Sequence, residues 1–373
     1  MFANRIAYRL VSVLMLIPGI THAADKSNEQ HGQIAFSIKQ WEGEYLTSDS
    51  DPSKNTPCRG GIWTADLGTG EVRKVVDVGG MTANPIYSPA GDWLYFQANA
   101  TGQYEIYRCR PDGTEIQNLT GPQNPKREFE SYGFSISSDG SQVLHTIHNG
   151  KVAQTAIMNA DGTDRHPIEV KGVDYFYMGA LSPDKRSMAS ANVKTDYTLM
   201  LVELATGQSR ILEKGTAQAR CIGPQFSADG RALLFLKTDG DLYSINTDGT
   251  ERRQLTQGNK YNTFYLSPKD EHGSTDPPSF SPDNKRIALV AFQDGVPQVF
   301  TMNHDGSGRR QITSRKTACG RVKWSPDGQL LTFVSFEGQY PQLFVVNADG
   351  GEPRKLTDVP FAVYLLNWRP NVR

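Results

Sequence analysis

Histidines are the first residues to consider, because a histidine cluster can hold a catalytic metal. After the first segment the chain has His31, His145, His148, His166, His272 and His304. His145 and His148 lie three residues apart in the stretch HTIH, so on a β-strand their side chains point to opposite faces. A metal site needs three or four converging ligands, and the spacing brings two together at most. The sequence therefore predicts no bound metal and no cofactor.

Carboxylates and serines form no catalytic pattern either. The acidic candidates are Glu128, Glu130, Asp174 and Asp276, but no spacing pairs two of them as the acid and base of a glycosidase. The GxSxG motif of serine hydrolases is absent from the sequence. We therefore predict no catalytic residue.

The elements that would position such residues repeat along the chain. An SPDG-like turn recurs at spacings of about 45 residues, the repeat length of a propeller blade. Its serines are Ser88, Ser137, Ser182, Ser227, Ser281 and Ser325. A second turn, of the NADG type, follows an apolar strand, and Asp-Gly favours hairpins because glycine accepts positive φ. Each unit therefore has four strands, here called a, b, c and d, typical of a β-propeller blade.

The two ends of the chain supply the parts of one further blade. QIAFSI (33–38) matches strand b, and GGIWTADLGTGEVRKVV (60–76) matches strands c and d. VYLLNWRPN (363–371) is a lone strand a. We predict an all-β, seven-bladed β-propeller of four-stranded antiparallel blades, closed by pairing the C-terminal strand with the N-terminal blade. The alternative is six blades with a loose terminal unit.

These repeats resemble the TolB-like β-propeller family. The resemblance is carried by FSPDNKRIALV and QVFTMNHDGSGRRQIT within 280–313, and by WSPDGQLLTFV and QLFVVNADGGEPRKLT within 324–357. It covers about residues 31–371 and implies the propeller fold. TolB proper has an α/β domain before a shorter propeller, and we expect no such domain here. The resemblance therefore does not imply a role in the Tol envelope system.

One face of the predicted propeller is irregular. Its a–b and c–d turns are mostly uniform SPDG and NADG turns, and they share one face, here called the turn face. The long segments 39–60, 121–131 and 257–277 are b–c or d–a connections, and they share the opposite face, here called the loop face. Long loops in a compact domain are typical of binding surfaces.

The predicted ligand-binding residues lie at the mouth of the central channel on the loop face. Strand a lines that channel, and the position five residues before the turn serine reaches the mouth. This position is occupied by Tyr132, Tyr177, Asp276 and Tyr364, and nearby loops add Trp41, Tyr175, Arg220, Tyr261 and Tyr265. Aromatic rings with a few polar groups suit a sugar or a peptide side chain. The alternative is that the tyrosines only plug the channel.

The first segment is typical of a secretory signal peptide. Arg5 and Arg9 precede the apolar stretch 10–17, and small residues lead to a predicted cut after Ala23. We therefore predict a signal peptide at 1–23 and the TolB-like propeller at 24–373, in a periplasmic or secreted protein with no stable membrane span after cleavage. An uncleaved N-terminal anchor is the alternative.

The net charge limits the kind of partner, and the cysteine spacing indicates whether the thiols pair. The net charge is −1 without a basic run, which argues against nucleic acid. Cys58, Cys109, Cys221 and Cys319 include no CxxC pair, so we predict unpaired thiols. The predicted function is a non-enzymatic scaffold that binds a protein or peptide, with an oligosaccharide as a possible ligand. The alternative is a carbohydrate-active enzyme, either a polysaccharide lyase such as an oligogalacturonide lyase or a glycoside hydrolase.

Overall fold

The computed structural model describes residues 32–41, 58–126, 128–149, 153–173, 176–259, 263–264, 274–275, 277–338 and 340–370. Almost all regular structure in these ranges is β-strand. The strands are Gln33–Trp41 (β1), Cys58–Asp66 (β2), Val72–Val76 (β3), Thr82–Tyr87 (β4), Leu94–Ala98 (β5), Glu105–Cys109 (β6), Gln117–Asn118 (β7), Glu130–Ile136 (β8), Gln142–His148 (β9), Ala153–Asn159 (β10), His166–Pro167 (β11), Phe176–Leu181 (β12), Ser187–Asn192 (β13), Thr198–Glu203 (β14), Ser209–Glu213 (β15), Cys221–Phe226 (β16), Ala232–Lys237 (β17), Leu242–Asn246 (β18), Arg253–Gln254 (β19), Thr263–Phe264 (β20), Ser274–Thr275 (β21), Ser279–Phe280 (β22), Arg286–Gln293 (β23), Val296–Asn303 (β24), Arg310–Gln311 (β25), Cys319–Trp324 (β26), Leu330–Glu337 (β27), Tyr340–Asn347 (β28), Arg354–Lys355 (β29) and Ala362–Trp368 (β30). A short 3-10 helix spans Val193–Thr195.

The strands form seven four-stranded antiparallel sheets, which are the blades of a β-propeller. Blade 1 has the order β30-β1-β2-β3, and the next four blades are β4–β7, β8–β11, β12–β15 and β16–β19. Blade 6 is β22–β25 and blade 7 is β26–β29, while β20 and β21 form a separate two-stranded ribbon. The predicted all-β fold with seven blades is confirmed.

The C-terminal strand closes the ring, as the sequence predicts. Ile34 lies opposite Trp368, and Ile38 lies opposite Val363, in an antiparallel pair between β1 and β30. The Arg369 N–H donates to the Gln33 carbonyl at 2.8 Å. Trp368 is buried in a cluster that also contains core residues of blade 7. The last strand thus completes the first blade and covers the edge of β1, which would otherwise be unpaired.

Strand b is buried on both faces because neighbouring blades stack against it. In blade 7, Leu331 and Phe333 pack in the cluster shared with blade 6, whereas Val334 packs in the cluster shared with blade 1. Phe333 also stacks on Phe344 of strand c, with ring centroids 5.5 Å apart. Equivalent stacks join Phe96 to Tyr107 and Phe235 to Tyr243.

The SPDG turns hold their own shape through one repeated set of hydrogen bonds. The Ser325 hydroxyl donates to an Asp327 carboxylate oxygen at 2.6 Å and accepts the N–H of Leu330 at 2.8 Å. The same pair of bonds forms at Ser137, Ser182, Ser227 and Ser281. Gly328 has φ +70°, a left-handed conformation that glycine adopts without steric cost.

Strand a of blade 7 is Cys319–Trp324. Two local features were not predicted from the sequence. Strand a of blade 6 has only two residues, because Pro277 and Pro278 immediately precede it and prolines lack the N–H that a ladder needs. The 257–277 connection also contains β20 and β21, where the sequence predicts only a loop.

Candidate functional site

Six of the seven innermost strands have an irregularity at the predicted mouth position. The pairing register shifts directly after Ala83, Tyr132, Tyr177, Ile222 and Gly320, and β30 is irregular between the residues paired with Ile38 and Phe36. Such β-bulges insert an extra residue, bend the strand and redirect its side chains. The repeat therefore places a bulge at the same level in most of the blades.

Tyr364 contacts two cationic side chains. Lys39 Nζ is 4.1 Å from the centre of its ring, and the Arg321 guanidinium carbon is 4.6 Å from the same centre. Lys39 comes from β1, where it pairs with Ala362, and Arg321 comes from β26 of the neighbouring blade. Both distances fall within the range of a cation–π contact. The predicted residue Tyr364 is thus the centre of a three-residue cluster.

Sequence reasoning missed Lys39 and Arg321. Arg321 lies one position after the tyrosine column, and it has φ +58° and an exposed fraction of 6%. The equivalent bulge residues Asn84, Gly133 and Gly223 also have positive φ, between 57° and 58°. The available signal was that Arg321 is the charged residue at a position otherwise occupied by Asn84, Gly133, Met178, Gly223, Pro277 and Leu365. A left-handed conformation is costly for its long side chain.

Tyr132 contacts a histidine in its own blade. Its ring meets the ring of His148 edge-on, with centroids 6.3 Å apart. His148 lies directly opposite Glu130 in the β8–β9 pair, and Gly133 donates its N–H to the Gln97 side-chain carbonyl at 3.2 Å. Blade 3 therefore presents a tyrosine, a histidine and a carboxylate at this end of its first two strands.

Arg220 is exposed in the connection that precedes β16. Its guanidinium carbon is 5.4 Å from the ring centre of Tyr197, which belongs to the b–c connection of blade 4. Its backbone N–H donates to the Thr238 hydroxyl at 3.0 Å. The structure thus places Arg220 on the loop face, in contact with an aromatic residue that the sequence analysis did not single out.

The other predicted site residues are described only in part or not at all. Trp41 pairs with Cys58 in β1–β2, and Tyr177 pairs with Ala191 in β12–β13, but their side chains are not described. The remaining four, Tyr175, Tyr261, Tyr265 and Asp276, lie outside the described residues. Their place at the mouth stays a prediction.

Buried polar side chains anchor the connections of the loop face. Gln342, at the start of strand c in blade 7, accepts from the Thr357 hydroxyl and the Val359 N–H and donates to the carbonyls of Val359 and Phe361. Gln298 makes the equivalent bonds in blade 6. Asp241 takes this position in blade 5, where it accepts from Thr256 and from two loop N–H groups. Each anchor fixes the d–a connection beside the channel mouth.

Clustering and burial both bear on what the described titratable groups can do. Among the residues that the structure describes, no three His, Cys, Asp or Glu side chains are placed to hold a metal ion. His145 is 1% exposed, and burial, with a contribution from the charge of Arg165, lowers its pKa to about 3. This histidine is therefore neutral and shielded from solvent at ordinary pH.

The described thiols are buried and unpaired. Burial raises the pKa of Cys109 to about 12 and that of Cys221 to about 11, and it also raises the pKa of Cys319. A protonated, enclosed thiol is a poor nucleophile. The structure shows Cys109, Cys221 and Cys319 as free thiols, and the side chain of Cys58 is not described.

Sequence comparison identifies related propellers. The family model for the TolB beta propeller domain (PD40) matches residues 55–264 and 267–364. The protein TolB homolog of Chlorobium luteolum is 26% identical over 213 residues, which are 57% of this chain and 34% of that protein. The chain covers only 29% and 34% of the length of two curated relatives that it matches.

Solved structures of two enzymes share the fold. An oligogalacturonate lyase in complex with manganese has a TM-score of 0.57 and 16% identity, over 87% of this chain and 85% of the lyase. A puromycin-hydrolyzing peptidase of Mycobacterium tuberculosis has a TM-score of 0.61 and 12% identity, over 86% of this chain and 56% of the peptidase. Identities this low show the fold alone.

In the part of this chain that is described, no helix has the length and apolar character needed to cross a membrane.

Proposed function

This chain belongs to the TolB β-propeller domain family, and on that premise we propose that it is a non-enzymatic scaffold that binds a protein or peptide. The partner binds on the loop face at the channel mouth. The protein acts in the periplasm or outside the cell after cleavage behind Ala23. The binding residues are Tyr132, Tyr177, Asp276, Tyr364, Tyr175, Arg220, Tyr261, Tyr265 and Trp41.

The observation that carries this proposal is the Tyr364 cluster. Two cations from different blades lie against one aromatic ring in the innermost strand. Tyr132 with His148, and Arg220 with Tyr197, add two further aromatic–polar pairs on the same face. Tyrosine and arginine are enriched where proteins bind other proteins, because they combine apolar area with directed hydrogen bonds.

A second candidate is a carbohydrate-active enzyme. The Tyr364 cluster also has the chemistry to hold a carboxylated sugar, since its cations attract the acid group and its ring can pack against a sugar face. The fold of an oligogalacturonate lyase is similar over most of this chain. This candidate predicts that the protein cleaves an oligogalacturonide, whereas the scaffold does not.

A crosslinking experiment in the cell of origin tests the scaffold. A photoreactive amino acid replaces exposed Gln218, in the loop before blade 5, or exposed Thr250, in the NTDG turn of that blade. We expect a discrete protein adduct from position 218 and none from position 250. Adducts of equal yield from both positions, or from position 250 alone, contradict a loop-face partner.

A double substitution then tests the mouth itself. Tyr132→Ala with Asp276→Ala should abolish the adduct from position 218 while the melting temperature stays close to that of the parent protein. If the yield of the adduct is undiminished, these two residues are not part of the binding site. Release of unsaturated products from oligogalacturonide by the purified protein supports the lyase and contradicts the non-enzymatic scaffold.

A further inference from the structure

We propose that Lys39, Tyr364 and Arg321 form a carboxylate receptor, and that the carboxylate belongs to an acidic segment of a peptide partner. The inference rests on the proposed scaffold function and specifies the chemistry of its partner. Three facts carry it: the backbone conformation of Arg321, its burial, and the distribution of charge over the innermost strands.

The backbone conformation of Arg321 is the first. Arg321 has φ +58°, at a bulge where other blades place Gly133 and Gly223, residues that tolerate this conformation. An arginine there is strained, and strained residues concentrate at sites of function. A glycine would fit this backbone with less strain, and the arginine instead brings a guanidinium to the bulge.

Burial makes the guanidinium a strong anion binder. Arg321 is 6% exposed, and its guanidinium lies along the ring of Tyr364. A charge-assisted hydrogen bond is stronger in such a low-dielectric setting, and the planar arginine fork matches the two oxygens of a carboxylate. Half-buried Lys39 adds a second positive charge on the same ring.

Charge on the innermost strands is distributed unevenly. On the described parts of these strands, the cations are Arg321 and Lys323, both in β26 of blade 7, and the anion is Glu130 in β8 of blade 3. Lys39 in the adjacent blade 1 adds to the cationic side. An acidic ligand is therefore attracted to the border of blades 7 and 1. Blade 3, which carries the anionic Glu130, is not adjacent to that border.

An acidic peptide fits this arrangement better than an isolated small anion. The cations come from strands at the channel mouth, next to the d–a connection that Gln342 anchors through Val359 and Phe361. A peptide can place one aspartate or glutamate on the cation pair and its remaining residues along the connection. Electrostatic complementarity of this kind sets specificity and association rate.

The test is a binding titration with a defined probe. A fluorescent hexaglutamate peptide is titrated with the protein lacking residues 1–23, at low ionic strength, where charge contacts are least screened. We expect saturable binding that Arg321→Gly and Lys39→Gln each weaken about tenfold or more, the effect of losing one charge-assisted hydrogen bond. Arg321→Gly suits the backbone, because glycine occupies the equivalent bulge in two other blades.

The matched control is Lys74→Gln. Lys74 is a half-exposed cation on β3 of blade 1 and pairs with Asp77 at 2.8 Å. The substitution therefore removes one positive charge, as Lys39→Gln does, but from an outer strand. Binding should be unchanged in this variant. An equal loss in Lys74→Gln, or no loss in Lys39→Gln and Arg321→Gly, overturns the receptor. Failure of the parent protein to bind hexaglutamate also overturns it. Thermal melts check that each variant is folded. If Arg321→Gly is unfolded, the result for Lys39→Gln decides the test.

Two further measurements extend the test. The first distinguishes a peptide carboxylate from a sugar carboxylate, and the second distinguishes failure of this inference from failure of the proposed scaffold function. Trigalacturonate that binds more tightly than hexaglutamate overturns the peptide assignment. The crosslink from position 218 is then repeated in Arg321→Gly. An adduct that persists while the parent protein ignores hexaglutamate means that the scaffold stands and this inference fails. Absence of any adduct in the parent protein means that the proposed function itself fails.

Discussion

The two faces of the propeller are built from the same blades but are held by different bonds. On the turn face, five blades repeat one serine–aspartate arrangement, shown by Ser325 and Asp327. The pKa values of Asp184, Asp229 and Asp283 are lowered, because each carboxylate accepts a hydrogen bond from the turn serine and another from a backbone N–H. Each turn is therefore complete by itself.

The loop face has buried polar anchors that vary among four of the blades. Blades 6 and 7 use the neutral amides of Gln298 and Gln342, while blade 5 uses the carboxylate of Asp241 and blade 2 that of Glu105. These anchors are almost fully buried. Gln298, Gln342 and Asp241 bond to the connection that follows strand d. Glu105 instead accepts from Thr101 and from Asn118 of β7. The comparison indicates that local turns define the frame, whereas long-range polar bonds define the candidate binding surface.

Closure of the ring supports both faces, so its loss should have the largest effect. Deletion of residues 363–373 removes most of β30, including buried Val363, Leu366 and Trp368. We expect a loss on the order of 5 kcal/mol in the free energy of unfolding, from lost apolar burial. Deletion of only 371–373 is the control. A melting temperature equal to that of the control would contradict closure by β30.

A pair of substitutions in blade 7 compares the two faces directly. Gln342→Ala leaves the Thr357 hydroxyl, the Val359 N–H and two carbonyls without their partner, which should cost about 3 kcal/mol. Ser325→Ala removes one turn hydroxyl and should cost about 1 kcal/mol. Denaturant unfolding measures both. Equal costs would mean that the loop face has no special dependence on its buried anchor.

Acid should weaken the protein through His145 before it affects the turn aspartates. The pKa of His145 is about 3 in the folded protein and about 6.5 when unfolded, so the unfolded state takes up the proton first. Stability present above pH 6.5 is lost as the pH falls, by about 2 kcal/mol between pH 7 and pH 5. The turn residues Asp184 and Asp229 have lowered pKa values, and their contribution to stability is lost only below about pH 4.

His145→Leu isolates that contribution. The variant should show a flatter dependence of unfolding free energy on pH between 7 and 5. The difference between variant and parent at pH 8, where the imidazole is neutral in both states, measures the packing change alone. A slope identical to that of the parent protein would show that His145 can take up its proton without unfolding.

The smallest effect is expected at a surface ion pair of the turn face. Lys185 lies 2.6 Å from Asp139 of the preceding blade, and both side chains are more than a third exposed. Lys185→Gln should change the free energy of unfolding by about 0.5 kcal/mol or less, because water and salt screen such pairs. A loss several times larger would show that the turn face also depends on contacts between blades.

The fold could be predicted from the repeat because each turn motif acts locally. The SPDG and NADG turns specify hairpins through bonds within a few residues of themselves. Six complete units, and the seventh blade that the two chain ends share, can therefore be counted in the sequence. The two-residue strand β22 follows from Pro277 and Pro278 but was not predicted. The β20–β21 ribbon has no such local signal.

The site could be predicted only in part. The tyrosine column gave Tyr132 and Tyr364, whose repeat position is visible in the sequence. The anchors Gln298 and Gln342 were missed. Each stands near the start of a strand c, 15 residues before the threonine that donates to it, which is Thr313 or Thr357. A polar residue at a strand start has no distinctive sequence signal until its buried partners are known.

The sequence by itself determined the architecture: the number of blades, their strand order and the closure of the ring by the last strand. These follow from hydrogen bonds and apolar patterns that act within one repeat. Only the tertiary structure decided that Lys39 and Arg321 meet at Tyr364. The three residues come from the two ends of the chain and from two blades. Ring closure and the bulge at Arg321 bring them together, and neither their spacing nor their types could specify that contact.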